Sequence, residues 1–137
     1  MLKLELSYGS NARTVQYFDV RNGLTSEVFD IASAYADFFA FDSYNDSAFI
    51  AYPDVDDKVH YHETANVHVI VADVFNGDEY RIERDFISLL TGVNNMVFLS
   101  SNELYIDYEI IDGATREERF SENKGTIENV REIVNFR

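Results

Sequence analysis

Hydrophobic and polar residues alternate from the start of the chain. In residues 2–8 every second position is apolar (three leucines and a tyrosine), and the positions between them are polar. A period of two residues is typical of a β-strand that buries one face, here the leucine face. A turn over residues 9–13 and a second strand over residues 14–20 complete a predicted N-terminal hairpin.

A helical period replaces this alternation over about residues 25–40. Thr25 is the predicted N-cap, and Leu24 is placed to pack against Phe29 in the first turn. Apolar residues occupy one side of the predicted helix and polar residues the other, so the helix is expected to lie across a sheet. The apolar side comprises Val28, Ile31, Ala32, Tyr35 and Phe38 or Phe39, and the polar side comprises Asp30, Ser33 and Asp37.

The middle of the chain has strand patterns. Short strands are predicted over residues 48–52 and 58–62, the first ended by Pro53. Residues 67–75 are apolar on both faces for most of their length, as expected for a central strand that is covered on both sides.

Two further hairpins are predicted from turn residues. Asn76-Gly77 indicates a two-residue type I′ turn, which places Val71 opposite Ile82. Ser101-Asn102 is the predicted loop of the second hairpin, in which Leu99 faces Leu104. The predicted inward side chains of that second hairpin are Leu104, Ile106, Tyr108 and Ile110.

A closing helix is predicted over about residues 126–136, capped by Thr126. Its narrow apolar stripe comprises Ile127, Val130 and Ile133 or Val134. The patterns together predict a single α+β domain over residues 1–137, with an antiparallel, twisted sheet of about six to eight strands and two helices. No linker, low-complexity tract or internal repeat is expected within it.

Composition limits the cellular setting. Apolar residues make up 46% of the chain, enough for a packed core, and cysteine is absent, so no disulfide framework is expected. The N-terminus lacks the basic and apolar regions of a secretory signal, and no apolar run approaches the roughly 20 residues that span a bilayer. A cytoplasmic protein is the expectation.

The net charge of −14 is the unusual property of this chain. Nucleic-acid binding depends on lysine and arginine neutralising phosphates, so a chain this acidic is not expected to bind nucleic acid or anionic membranes directly. Residues 22–57 contain eight acids and no lysine or arginine. On the predicted helix, Asp30 and Asp37 share the solvent face with Glu27 near its start, and such a row of carboxylates can mimic a nucleic-acid backbone.

The sequence therefore predicts an acidic, non-enzymatic inhibitor that binds the basic surface of a nuclease or another nucleic-acid-binding protein. Its size, acidity and lack of motifs are similar to those of phage anti-defence proteins, such as anti-CRISPR and antirestriction DNA mimics, and of toxin immunity proteins. An ordinary solvated acidic surface is the alternative interpretation. The predicted partner-binding residues are Glu27, Asp30, Asp37, Asp42, Tyr44, Asp46, Tyr52, Asp54, Asp56 and Asp57.

Motifs for other chemistry are missing. There is no phosphate-binding loop, dinucleotide fingerprint or nucleophile elbow, so no catalytic residue and no cofactor is assigned. His60 and His62 share one face of a predicted strand and are weak candidates for a metal site, since His68 falls on the opposite face. Two other functions stay open: a small enzyme or ligand-binding domain with an unfamiliar site, and a structural subunit that forms a homodimer through an exposed β edge.

Overall fold

The structure is a computed structural model that describes residues 1–8, 12–32, 39–45, 47–54, 65–86, 92–111 and 127–137. All regular secondary structure in these segments is β-strand, so the predicted α+β class is wrong. The strands are β1 (Leu2–Tyr8), β2 (Ala12–Asp19), β3 (Leu24–Thr25), β4 (Phe29–Ala32), β5 (Ala40–Ser43), β6 (Ala48–Asp54), β7 (Ala65–Asp73), β8 (Glu79–Phe86), β9 (Gly92–Phe98), β10 (Glu103–Ile111) and β11 (Ile127–Asn135).

The strands form three antiparallel sheets. The first sheet has the order β1-β2-β3, and β4 also pairs with β2. The second sheet has the order β5-β6-β7-β8, and the third has the order β11-β10-β9. The expected single large sheet is therefore divided into three smaller ones.

The second sheet is covered on both faces. Val69 and Val71 of β7 belong to a hydrophobic cluster shared with the third sheet. Ala72 and the adjoining Val74 belong to a different cluster, shared with the first sheet. The first sheet contributes Val15, Tyr17 and Phe29 to its cluster, and the third contributes Val93, Met96, Phe98, Leu104, Ile106 and Tyr108 to the other. The prediction that β7 is a central strand is confirmed, since a strand covered on both sides needs apolar residues in consecutive positions.

The predicted helix over residues 25–40 is replaced in the described residues by strands β3 and β4, followed by β5 from Ala40. Residues 33–38 of that prediction lie outside the described residues. Thr25, the predicted N-cap, pairs with Phe18 of β2 instead. Phe29 is buried while its neighbours Val28 and Asp30 are exposed, which is the alternation of a strand.

Ser26 explains why this segment stays extended. Its backbone N–H donates to the Tyr17 carbonyl and its hydroxyl accepts from the Tyr17 N–H, both at 2.9 Å. The Gln16 side-chain amide also donates to the Ser26 carbonyl at 3.0 Å. A serine side chain that bonds to a neighbouring backbone competes with helix formation, and here it ties the chain to β2 between β3 and β4.

The predicted C-terminal helix is also wrong, because β11 pairs with β10 along its whole length. Val130 and Val134 pack against the core shared by the second and third sheets, and Phe136 is buried there. Glu132 lies between Val130 and Val134 on the same side of the strand. This charged residue interrupts the alternation of apolar and polar positions, so the sequence lacks a clear strand pattern here. Its carboxylate accepts from the Tyr108 hydroxyl at 2.8 Å and pairs with the Arg84 guanidinium at 2.8 Å. A partly buried carboxylate is tolerated here because both partners satisfy it.

Both predicted turns have different lengths from those expected. Only Gly77 has a positive φ in the first turn, and β7 and β8 pair Val71 with Tyr80 and Val69 with Ile82, a shift of two residues. In the second hairpin the Leu99 N–H donates to the Glu103 carbonyl. That bond sets a register one residue away from the predicted one.

This one-residue shift changes which side of β9 is buried. Phe98 faces Leu104 and is buried, whereas Leu99 is exposed. On β10 the predicted inward residues Leu104, Ile106 and Tyr108 are buried as expected. The side chain of the fourth, Ile110, lies outside the described part.

The N-terminal hairpin is confirmed, but its predicted buried face is wrong. Leu2, Leu4 and Leu6 are 60%, 49% and 48% exposed. The neighbouring residues Lys3 and Glu5 pair with Tyr17 and Val15, whose side chains are buried. The leucines therefore cover the outer face of the first sheet.

The link between Glu132, Tyr108 and Arg84 provides a test of the β11 assignment. Glu132→Ala should lower the free energy of unfolding by about 1–3 kcal/mol, because the Tyr108 hydroxyl and the Arg84 guanidinium both lose their bond to this carboxylate. Glu128→Ala is the matched control at an exposed site on the same strand, with an expected change within about 0.5 kcal/mol. Urea denaturation measures both, and equal effects for the two variants would contradict the assigned contacts.

Candidate partner-binding site

A cleft of about 210 Å³ lies where turns from the first and second sheets meet. The β2–β3 turn, the β5–β6 turn and the β7–β8 turn all contribute to its wall. Its lining residues are Met1, Asp19, Asn22, Leu24, Tyr44, Asn45, Ser47, Ala48, Asp73, Phe75 and Asn76. The site is called the turn cleft below.

Asp73 organises the β7–β8 turn beside this cleft. One carboxylate oxygen accepts from the backbone N–H groups of Phe75 and Asn76, both at 3.1 Å, and the other accepts from the Asn76 side-chain amide at 3.1 Å. The Gly77 N–H then donates to the Asp73 carbonyl at 3.1 Å. These bonds hold a four-residue loop in which glycine alone needs the left-handed conformation, with φ at 77°.

The β2–β3 turn has the same construction. Asp19 Oδ1 accepts from the Arg21 and Asn22 N–H groups at 3.1 and 3.2 Å, and Oδ2 accepts from the Asn22 side-chain amide at 2.7 Å. Gly23 has a φ of 66°. The Asn22 amide and backbone bonds lower the pKa of the Asp19 carboxyl below its ordinary value near 3.8.

The two turns share one sequence pattern, Asp-Val-x-Asn-Gly, at residues 19–23 and 73–77. Each aspartate lies at a strand end and pairs with the residue five positions later, Leu24 or Asp78. The expectation of no internal repeat is therefore wrong for this five-residue motif. The repeat is visible in the sequence, and because aspartate and asparagine side chains favour such turns it could have identified both walls of the cleft.

Tyr44 forms the third wall, on the turn between β5 and β6. Its N–H donates to the Ser47 carbonyl at 2.7 Å, and its ring lies 6.4 Å from that of Phe49. Its hydroxyl donates to Asp42 Oδ2 at 3.2 Å. Partial burial and the Asp42 charge raise the pKa of Tyr44 above its ordinary value near 10, so the hydroxyl keeps its proton at neutral pH.

The lining offers mainly hydrogen-bond acceptors and amides. Two carboxylates, three asparagines, a serine and a tyrosine are joined by a few apolar side chains, and the described lining includes no lysine or arginine. Such a lining suits a cationic, multiply donating group such as a guanidinium.

The structure brings together only some of the residues predicted from sequence. Asp42 and Tyr44 adjoin the turn cleft, whereas Glu27 and Asp30 are exposed on the first sheet. Tyr52 is partly buried in the cluster between the first two sheets. The row expected on a helix does not exist over β4, and Asp30 pairs with Thr14 on the outer face of the first sheet. Asp37, Asp46, Asp56, Asp57, His60 and His62 lie outside the described residues, as does the side chain of Asp54.

Two arginines lie on β8, and one of them approaches the end of the acidic segment. Asp54 pairs with His68, and Arg81 Nη1 lies 3.1 Å from His68 Nδ1. Arg84 is held by Glu132, on the side of the second sheet that faces the third. One cation, Arg81, therefore lies near the Asp54 end of the segment, and the described lining of the turn cleft includes no lysine or arginine.

Comparison of the chain with protein-family models, with curated proteins and with solved structures finds no match in any of the three. Within the described segments, no three histidine, aspartate or glutamate side chains are grouped so that they could hold a metal ion. The same segments contain no helix with the length and apolar character needed to cross a membrane.

The Asp19 turn predicts a measurable titration. Because its pKa is lowered in the folded state, the carboxylate stabilises the fold above about pH 4, and this contribution is lost as the pH falls through the lowered pKa. Asn22→Ala removes the strongest of the bonds that lower it, so the Asp19 pKa should rise towards 3.8.

Carboxyl-detected NMR titration measures this pKa directly. Asn95→Ala, an exposed site on the third sheet, is the matched control and should leave the Asp19 titration unchanged. An Asp19 pKa that is the same in wild type and Asn22→Ala would show that the turn is not organised in this way.

Proposed function

We propose that this chain is an acidic binding protein that acts in the cytoplasm and covers the cationic, nucleic-acid-binding surface of a partner protein. The observation that carries the proposal is the turn cleft, whose wall includes Asp19 and Asp73, each held by an Asp-Val-x-Asn-Gly turn, and whose described lining includes no lysine or arginine. The absence of cysteine is compatible with a reducing compartment.

The cleft favours one inserted side chain over a small-molecule ligand. Its volume of about 210 Å³ is below the roughly 300–1,000 Å³ that pockets for drug-sized ligands enclose. An arginine side chain is the natural occupant, because its planar guanidinium can pair with carboxylate and amide oxygens and stack on an aromatic ring. In this proposal Tyr44 supplies that ring and Asp19 supplies the carboxylate, while Asp73, which is 5% exposed, mainly holds its own turn in place.

The charge of the whole chain acts in the same direction at longer range. A net charge of −14 attracts a basic partner and raises the rate of encounter. The same charge repels nucleic acid, so the protein would compete with nucleic acid for the partner and would not bind it. The inhibitor hypothesis thus depends on the turn cleft and the net charge, and it no longer needs a helical row of aspartates.

The proposal is tested by NMR titration of ¹⁵N-labelled protein with a short peptide that carries two arginines. The backbone amides of Asn22, Asn45 and Asn76 should shift and saturate, and the apparent affinity should fall as salt rises, since exposed charges are screened. A peptide with citrulline in place of arginine has nearly the same shape without the charge and should cause no saturating shift.

Two variants locate the contact. Asp42→Lys places a positive charge beside the Tyr44 hydroxyl and should weaken peptide binding about tenfold or more, equivalent to roughly 1.4 kcal/mol. Glu128→Lys makes the same charge change at an exposed site on the third sheet and should weaken binding far less. Equal losses in the two variants, or equal shifts with the citrulline peptide, would mean that net charge alone drives binding and would end the proposal.

A further inference from the structure

Strand β1 lies at an edge of the first sheet. Within the described residues it pairs with β2 on one side and with no strand on the other. An edge strand leaves backbone donors and acceptors that can pair with another chain. Among the usual protective devices, β1 has neither a proline nor a bulge in its pairing with β2, and the two charges that it carries, Lys3 and Glu5, are of opposite sign.

The outer face of this strand is apolar. Leu2, Leu4 and Leu6 are each about half exposed or more. Leu4 and Leu6 line a shallow depression that also includes Val28, which is 57% exposed. An apolar strip of this kind on a strongly charged protein is typical of an interaction surface.

The other face of β1 carries one positive and one negative side chain in fixed positions. Lys3 Nζ lies 2.8 Å from Glu5 Oε2 and 5.3 Å from the centroid of the Phe39 ring. These two charges lie on either side of Leu4 in the strand. If a second β1 strand runs antiparallel with its Leu4 opposite Leu4 of the first, each positive side chain therefore faces a negative one.

We infer that two copies of this chain associate through antiparallel pairing of their β1 strands about a two-fold axis at Leu4. In this register Lys3 of each copy lies opposite Glu5 of the other, and Leu2 lies opposite Leu6. Opposite charges on directly facing residues stabilise an antiparallel pair. The Lys3–Glu5 ion pair of one copy then lies beside the Lys3–Glu5 ion pair of the other copy. Four charges of alternating sign meet on one face, and six leucines form a continuous strip on the other.

Charge selects this register over its neighbours. Directly opposed residues must share a face, so the alternative registers differ by two residues. One of them places Lys3 opposite Lys3 of the second copy, and the other places Glu5 opposite Glu5. Like charges that face each other directly are destabilising, so the symmetric register about Leu4 is the one that the strand itself favours.

The inference goes beyond the proposed function and does not depend on it. Met1 lines the turn cleft at the start of β1. Paired strands would place the two Met1 residues about 20 Å apart along the strand direction, at a rise of roughly 3.3 Å per residue. A dimer would thus present two turn clefts, which raises the avidity for a partner with repeated basic side chains.

Charge exchange tests the pairing. Sedimentation velocity across a concentration series should give a dimer for wild type, and Lys3→Glu and Glu5→Lys should each weaken dimer formation at least tenfold. An equimolar mixture of the two variants should recover dimers, because each facing pair again has opposite charges. Val97→Glu, an exposed apolar site on the third sheet, is the control and should leave the dimer unchanged.

Cysteine cross-linking tests the register without altering any charge. The chain has no cysteine, so Leu4→Cys introduces a single thiol. Facing Cα atoms in an antiparallel pair lie about 4.5–5.5 Å apart, within disulfide range. Leu4→Cys should form a disulfide-linked dimer on oxidation, Leu2→Cys alone should not, and Leu2→Cys mixed with Leu6→Cys should. A monomeric wild type would overturn the inference. So would a dimer that neither charge variant weakens and that Leu4→Cys does not cross-link.

Discussion

The structure depends on one constraint, the requirement that the second sheet be covered on both faces. Consecutive residues of β7 point to opposite sides of the sheet, and Val69 to Ala72 are all buried. An apolar strand of this kind is stable only between two other layers, since exposing either face would return its side chains to water. The first and third sheets supply those layers, and their inner residues form the two separate hydrophobic clusters.

This arrangement also produces the turn cleft. The first and second sheets pack through Val15, Tyr17 and Ala72, and that contact brings the ends of β2 and β7 close together. Both strands end in the same Asp-Val-x-Asn-Gly turn. The cleft is therefore a consequence of sheet packing combined with a repeated turn, and its carboxylates are held by local hydrogen bonds before any partner arrives.

Parts of this fold could be predicted from the sequence, and the failures have physical causes. The N-terminal hairpin follows from the apolar period of two residues, and the central position of β7 follows from its continuous apolar run. The two helix predictions are wrong because contacts with distant residues stabilise a strand in each segment. Ser26 is hydrogen-bonded to Tyr17 of β2, and the Glu132 carboxylate is paired with Arg84 and Tyr108. Such partners are distant in sequence, so a period read along one segment cannot reveal them.

The candidate site was predicted in the same uneven way. Asp42 and Tyr44 were singled out by charge and residue type, and they adjoin the cleft. Asp19 and Asp73 lie outside the stretch without basic residues, so the charge pattern does not single them out, whereas the repeated turn motif does. The alternation of apolar residues in β1 predicts that its leucine face is buried, but this face lies on the outside of the first sheet. Alternation separates the two faces of a strand without showing which face packs against the next sheet.

In this fold, adjacent residues of β7 contact different sheets. Nuclear Overhauser measurements on methyl-labelled protein test it most directly, because they report which side chains lie close together. We expect the Val71 methyls to show contacts to Leu104 or Ile106 of the third sheet, and the Ala72 methyl to show contacts to Val15 of the first. Contacts from both residues to the same sheet, or helical chemical shifts over residues 127–135, would contradict it.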